Sequence, residues 1–430
     1  MERVLEYLSE ADTQVLARLR SAGEAWIVGG WVRDSIIGRP DTDDKPIDIA
    51  TSLLPAEVKE LFPRSLMVGE KYGTVVVRLD EGVVGEPSWE VTTLRSEGTY
   101  GDGRRPDEVV FGSSIEDDLA RRDFTINAMA IGADGNRIDP HDGVADLRAG
   151  VLRSVGDARE RLGEDGLRIM RAFRFLDSDS GMRQMEPELR AAVMECSEML
   201  ERVSRERIGV EMQHILTGGN VGEIIAVMSE SGALERILPG IRTTTEPAFG
   251  SDFVVNLAML CSAEDDDGDA LAGKLREALV IAKEPLRAIS FLHDAASASL
   301  LAEIGSLRRF KAALPEAWQE FFMPYSEGLG RDVGEFRSAL SSLDALRAGN
   351  GPLVDGNMLV DATGLEPGPR MGRLKGWLHR VQVERDLSSS DEVLSLLLRQ
   401  LGHADAQPGA ATRAWLAGVR EWRAKRADNE

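Results

Sequence analysis

The chain runs to 430 residues, which at about 150 residues per domain suggests roughly three domains. Hydrophobic residues make up 43% and charged residues 29%, an ordinary balance for a folded protein, and no apolar run is long enough to span a bilayer. Lys plus Arg number 51 against 73 Asp plus Glu, a formal charge of −22 that excludes a uniformly cationic nucleic-acid binder but not a local basic surface.

The N-terminus, Met1-Glu2-Arg3-Val4-Leu5-Glu6-Tyr7-Leu8, is amphipathic and acidic rather than a signal peptide. Ala25-Trp26-Ile27-Val28 reads as a strand, Gly29-Gly30 as a tight turn, and the residues from Trp31 onward as a helix. Ile47-Asp48-Ile49-Ala50-Thr51 is a second short apolar strand, this one carrying an acid. Residues 74–79 and 89–94 are β-branched runs with strand character. From about Ile115 helical periodicity takes over, as in 165–176, 189–203 and 207–216, with glycine-rich breaks at 218–219, 349–352 and 364–369. Cys196 and Cys261 have no metal spacing and fit a reducing cytoplasm. Residues 264–269 are acidic, but an EF-hand register would put Ala263 and Lys274 at ligand positions, so they read as a surface loop. His293-Asp294 has no histidine partners in matching context nearer than His214 and His379, and reads as ordinary surface or core use. Basic residues gather at Arg121-Arg122, at Arg370, Arg373, Lys375, Arg380 and Arg385, and at Arg413, Arg420, Arg423, Lys425 and Arg426.

Five segments carry chemistry. A strand, two glycines and a helix N-terminus make an anion site of main-chain N–H groups suited to a triphosphate, and Asp48 on the next strand can hold Mg²⁺ against it. Arg121-Arg122-Asp123-Phe124-Thr125-Ile126-Asn127-Ala128 offers a phosphate clamp and partners for ribose hydroxyls. Residues 139–147 close with Gly143-Val144-Ala145-Asp146-Leu147. In Glu164-Asp165-Gly166-Leu167-Arg168 the acid and the guanidinium stand at i and i+3, on one face of an expected helix, able to present acceptors and donors to a base edge. In Arg207-Ile208-Gly209-Val210-Glu211 the expected pair is Arg207 with Glu211, at i and i+4.

Taken in order, these segments resemble the class II tRNA nucleotidyltransferases, the CCA-adding enzymes, and their relatives the bacterial poly(A) polymerases. Residues 93–106 match that family's flexible loop, and Val354-Asp355-Gly356, residues 364–369 and Gly372 resemble its C-terminal region. The resemblance implies an α+β fold: a polymerase-beta-like nucleotidyltransferase head with a mixed sheet over 1–137, then all-α neck (138–217), body (218–345) and tRNA-binding tail (346–430). It implies transfer of C and A from CTP and ATP to the 3′ end of tRNA, in the cytoplasm, with Mg²⁺ and without a nucleic-acid template. Gly29, Gly30 and Arg33 then handle the triphosphate, Arg122, Asp123 and Asn127 the ribose and phosphates, and Asp165 and Arg168 the base, with Arg171 and Arg207 also on the nucleotide.

One position departs from the family. Where it carries Asp-x-Asp, with two carboxylates at i and i+2 on one strand face, this chain has Pro46-Ile47-Asp48. Proline supplies no ligand. Glu90, on a neighbouring strand, is a candidate additional metal ligand, and Asp44, or Asp43 beside it, a substitute from upstream. Three readings therefore stand side by side: CCA addition with rearranged metal ligands, poly(A) polymerisation on general RNA, and an RNA-binding homologue with impaired catalysis.

Overall fold

The computed structural model describes residues 4–38, 46–67, 73–79, 87–96, 110–111, 114–296, 300, 302–313, 316–349 and 351–400. Asp43, Asp44, most of the 93–106 loop and the basic residues beyond 400 lie outside them. Contacts divide the chain into two compact units, Met1–His293 and Asp294–Glu430.

The first unit opens with Glu10–Arg20 (α1), started by a capping box between Ser9 and Asp12. Ala25–Val28 (β1), Gly30–Ile36 (α2), Asp48–Thr51 (β2), Pro55–Leu61 (α3), Leu66–Met67 (β3), Thr74–Val77 (β4) and Trp89–Thr93 (β5) follow. Arg95–Ser96 (β6) pairs apart from the main sheet with Val110–Phe111 (β7). Ile115–Ala120 (α4) leads to Ala130–Ile131 (β8) and Arg137–Ile138 (β9). The main sheet runs β3-β4-β5-β2-β1-β8-β9. Its β2–β5 pair is parallel and the remaining pairs are antiparallel, the mixed sheet that the resemblance implies.

Alternation along the strands buries both faces of the sheet. Trp26, Val28 and Ala50 meet Leu94, Ile115, Leu119, Ala128 and Ala130 in one cluster. Ile27 and Ile49 point the other way and are 0% and 1% exposed, so the central strands β1 and β2 are covered on both faces, and Asp48 emerges at the start of β2. The second strand begins at Asp48, one residue later than its apolar run suggests. Pro46 cannot donate to a ladder and sits before the pairing starts.

Helices dominate afterwards. Gly143–Ala149 (α5), Val151–Leu152 (β10), Ala158–Glu164 (α6), Leu167–Leu176 (α7), Gln184–Met185 (β11), Pro187–Glu195 (α8) and Arg205–Leu216 (α9) carry the chain past the sheet. The helix expected over 189–203 stops short. Cys196 N–H still bonds Ala192, but Met199 N–H bonds Cys196, and Ser197–Arg202 winds as a 3-10 turn. Val221–Glu230 (α10), Ala233–Ile237 (α11), Phe253–Leu260 (α12), Gly268–Leu279 (α13) and Lys283–Ala295 (α14) complete this part. The acidic segment expected as a loop over 264–269 is one only as far as Asp267, which caps α13, while Gly268 and Asp269 open that helix, and Lys274 pairs Asp266 at 2.8 Å. His293 Nε2 lies 2.9 Å from the Asp266 carbonyl, a structural use. Among the described residues no group of three or more His, Cys, Asp or Glu could hold a metal ion, and no helix is long and apolar enough to cross a membrane.

The second unit comprises Ile304–Ala313 (α15), Glu316–Gly328 (α16), Gly334–Ser341 (α17), Gly356–Thr363 (α18), Pro369–Arg385 (α19) and Ser390–Gln400 (α20). Leu359, Met371, Leu374, Leu378, Val393 and Leu397 form a core of their own. Arg370, Arg373 and Arg380 remain exposed along α19.

Candidate active site

Gly29 takes φ +78° as β1 turns into α2, a backbone that side-chain-bearing residues rarely adopt. Space forbids a side chain as well. A Cβ there would stand 2.8 Å from Asp48 Oδ2, so the bare turn is what lets the acid lie over the helix entrance. Antiparallel pairing puts Asp48 opposite Val28, the last residue before that turn. Parallel pairing of Ile49 with Val91 puts Asp48 and Glu90 one step earlier, side by side on one face. Both are exposed at the strand ends. Partial desolvation and the negative Glu90 push the Asp48 carboxyl above its usual range, with Arg122 pulling the other way. Two hard oxygen donors that repel each other suit a divalent cation. Pro46 adds no donor, and the Asp44 proposed as substitute falls outside the described residues.

Arg122 belongs to a set of cations gathered about Asp118, Asp123 and Asn127. Arg33, on α2, donates from Nε and Nη2 to Asp34 at 2.8 and 3.2 Å and from Nη1 to Asn127 Oδ1 at 3.1 Å. Arg121 and Arg122 both bond the buried Asp118, at 2.8 and 3.2 Å. Burial alone would raise the Asp118 carboxyl, yet the two guanidiniums hold it below the carboxylate range. Arg122 Nη1 also donates to the Asn127 carbonyl at 3.3 Å. Asp123 is buried against Arg171, whose Nε donates at 2.6 Å, and again the cation outweighs desolvation and lowers the acid. Asn127 Nδ2 reaches Asp123 at 3.5 Å. Arg33, Arg122, Asp123, Asn127 and Arg171 are therefore joined in one hydrogen-bonded group.

The expected Asp165/Arg168 helix face is not formed. α6 ends at Glu164, and Asp165 is extended, at φ −148° and ψ 108°, before α7 starts. Its Oδ1 accepts from Leu167 N–H at 3.0 Å, the usual competition of a short acid with the helix. Gly166 follows, and a Cβ there would meet the Met199 carbonyl oxygen at 2.3 Å. Arg168 bonds the carboxylate of Glu164 and donates to the Arg161 and Arg121 carbonyls at 2.7 and 3.2 Å. The last of these ties the 164–168 segment to Arg121, the neighbour of Arg122.

The expected Arg207/Glu211 pair is also replaced. Arg207 reaches Asp165 at 2.7 Å, and Glu211, buried, takes Arg174 at 3.1 Å. Partners that α9 finds on α7 and at the α6–α7 junction lie in a drier setting than an i, i+4 pair on the surface, which makes them the stronger choice. Glu164, Arg174 and Phe175 were missed in sequence. The three-residue spacing of Arg168, Arg171 and Arg174 is the signal that could have revealed Arg174.

The CCA-adding enzyme of Streptococcus sanguinis is 35% identical to this chain over 403 residues, covering 88% of this chain and 94% of that one. The chain belongs to the CCA-adding enzyme family. The CCA-adding enzyme of Geobacillus stearothermophilus is 41% identical over 227 residues, 53% of this chain and 54% of its own length. The family model for the poly(A) polymerase head domain matches residues 25–153, and that for a probable RNA- and SrmB-binding site of polymerase A matches 184–244. In fold the chain is similar to the Bacillus stearothermophilus CCA-adding enzyme in complex with CTP, with a TM-score of 0.72 at 24% identity, covering 93% of this chain and 98% of that one. The Thermotoga maritima CCA-adding enzyme complexed with tRNA gives a TM-score of 0.62 at 21% identity, covering 93% and 97%. Membership in the CCA-adding enzyme family makes this chain a nucleotidyltransferase.

Proposed function

We propose that this chain builds the 3′-terminal CCA of tRNA from CTP and ATP, selecting each nucleotide with its own side chains, in the cytoplasm. The observation that carries the reading is an anion turn (Gly29-Gly30) set against the Asp48 carboxylate with Glu90 beside it, together with the hydrogen-bonded group of Arg33, Arg122, Asp123, Asn127 and Arg171 and the tie from Arg168 to the Arg121 carbonyl.

Cytosine and adenine share one pattern on the edges they present: an amino donor beside a ring-nitrogen acceptor. Asp165 accepts from the first and Arg168 donates to the second. Uracil and guanine present an imino donor where Arg168 needs an acceptor, so both are refused. Asp123 and Asn127 are placed to hold ribose hydroxyls. Main-chain N–H groups of the Gly29-Gly30 turn, with Arg33 and Arg122, receive the phosphates and balance the charge that collects on departing pyrophosphate. The terminal tRNA hydroxyl attacks the α-phosphate, its oxygen–phosphorus bond forms, and the bond to pyrophosphate breaks. Asp48 and Glu90 would hold Mg²⁺, which when bound acidifies the attacking hydroxyl and neutralises phosphate charge. We assign the sheet-containing part, 1–137, to catalysis, 138–217 to base selection, 218–345 to a helical body and 346–430 to tRNA binding.

Incubating the protein with tRNA that lacks CCA, Mg²⁺ and each NTP tests the reading. Incorporation of C, then A, supports it. ATP incorporation alone, on any RNA, supports poly(A) polymerase instead. Pro46 keeps a second reading in view: tRNA binding without any Mg²⁺-dependent transfer marks an RNA-binding homologue.

A further inference from the structure

Three guanidiniums share one aromatic ring in this site. Arg33, Arg171 and Arg174 lie over Phe175 with their carbons 5.4, 5.1 and 4.6 Å from its centroid. Arg33 comes from α2, at the anion turn, and the other two from α7, so the ring is where the phosphate-handling and base-facing elements meet. Its own position is held from two sides. Phe124 sets its ring against it edge-on, centroids 5.8 Å apart, and the Phe175 carbonyl accepts from Arg183 Nη1 at 2.8 Å. Arg183 is itself buried and bonds main-chain carbonyls rather than a carboxylate, which adds a fourth cation close by.

Like charges so close repel one another, and each has only a partial answer in an acid: Asp34 for Arg33, Asp123 for Arg171, Glu211 for Arg174. Those acids grip the edges of the guanidiniums. An aromatic ring offers what they cannot, a negative face that attracts several cations without occupying an N–H donor. Aliphatic side chains of similar bulk would fill the space and leave the repulsion unbalanced.

We propose that Phe175 is a positioning residue for the triphosphate, gathering Arg33, Arg171 and Arg174 into one cationic patch with N–H groups left to turn toward phosphate oxygens. It contributes through the arginines and touches neither base nor reacting atoms. The inference rests on the reading of this site as a CTP and ATP site.

The test replaces Phe175 with phenylalanines bearing one, two and three ring fluorines, which keep its shape and weaken the negative face stepwise. Phe175→Leu and Phe175→Trp are compared alongside. The readouts are kcat and KM for CTP and ATP, calorimetric affinity for inorganic tripolyphosphate, and Tm. KM for both nucleotides should climb with each fluorine, by about tenfold across the series, the factor expected on abolishing a cation–π contact of ordinary strength. Tripolyphosphate affinity should fall in parallel, with preference over UTP and Tm unchanged. Phe175→Leu should match the most fluorinated form and Phe175→Trp the natural protein. A flat KM and flat tripolyphosphate affinity across the fluorinated series overturn the proposal, as does a loss of base preference. If the natural protein transfers no nucleotide at all, the reading of the site fails instead. Tripolyphosphate binding still judges the role of the ring.

Discussion

Arg207 donates to both carboxylate oxygens of Asp165, at 2.7 and 3.4 Å, across 42 residues of chain. A fork of this kind fixes the plane of the acid. Asp165 lies outside regular helix, and this pair together with Leu167 N–H holds its carboxylate in place. Arg207→Ala should therefore blur the choice between CTP or ATP and the other nucleotides, by about tenfold in kcat/KM ratio, the scale of one charge-assisted hydrogen bond. Competition assays with all four NTPs measure it. A variant that is merely less stable at unchanged selectivity would reduce the pair to a brace between α9 and the α6–α7 junction.

Arg168→Ala should abolish selectivity more completely, because the guanidinium proposed to donate to the ring nitrogen goes with it. The fold should survive, since Glu164 keeps Arg161 as a partner at 3.1 Å. Misincorporation of UTP and GTP, read by sequencing the tRNA ends, is the measurement. Retained selectivity with a lower Tm would show that Arg168 only ties the Arg121 and Arg161 carbonyls together.

Pro46→Asp should raise nucleotidyl transfer strongly and Asp48→Ala should abolish it. An acid at 46 would recreate two carboxylates at i and i+2, on the same side of the strand, in the arrangement that two shared metals need. Steady-state transfer at several Mg²⁺ concentrations distinguishes a gained ligand from a general effect. A natural protein already fast, and indifferent to Pro46→Asp, would direct attention to Asp44 and Glu90.

Asp118 supplies a pH signature. Its carboxyl is held low by Arg121 and Arg122 despite burial, so its stabilising charge is fully present above the ordinary carboxylate pKa of about 4. The contribution is lost as pH falls from there through the lowered folded value. Asp118→Asn should destabilise the protein at pH 7 by about 1 to 3 kcal/mol and by much less near pH 3. Urea midpoints at the two pH values check the sign. An equal loss at both would mean that the charge is irrelevant and only shape matters.

Arg370, Arg373 and Arg380 stay exposed on α19 in a chain whose total charge is −22. Changing all three to Gln should weaken tRNA binding and flatten its salt dependence, with up to about three fewer counterions released. Titrations at several salt concentrations decide it. Identical slopes would place the RNA surface elsewhere.

Much of this site was legible in the sequence because its parts are local. A strand, two glycines and a helix are written in consecutive residues, and 25–28 fell where expected. The true partners of Arg207 and Glu211 were not legible, because helical spacing names neighbours along one chain segment, whereas the fold offers each of them a partner from another segment in a drier place. The break at Asp165 was hidden for a related reason. Apolar periodicity runs smoothly through 165–176, and the interruption comes from a side-chain oxygen capturing Leu167 N–H. Phe175 looks in sequence like one more core aromatic. Only the fold brings Arg33 onto it.

Gly166 sets a practical boundary for redesign. Its Cβ-less backbone presses on the Met199 carbonyl oxygen, so any side chain there would pry the 164–168 segment away from the 3-10 turn behind it. A library meant to redirect this protein toward other nucleobases has Glu164, Asp165, Leu167 and Arg168 to vary. It should keep position 166 as glycine, or most of its members will be lost to misfolding before base choice can be scored.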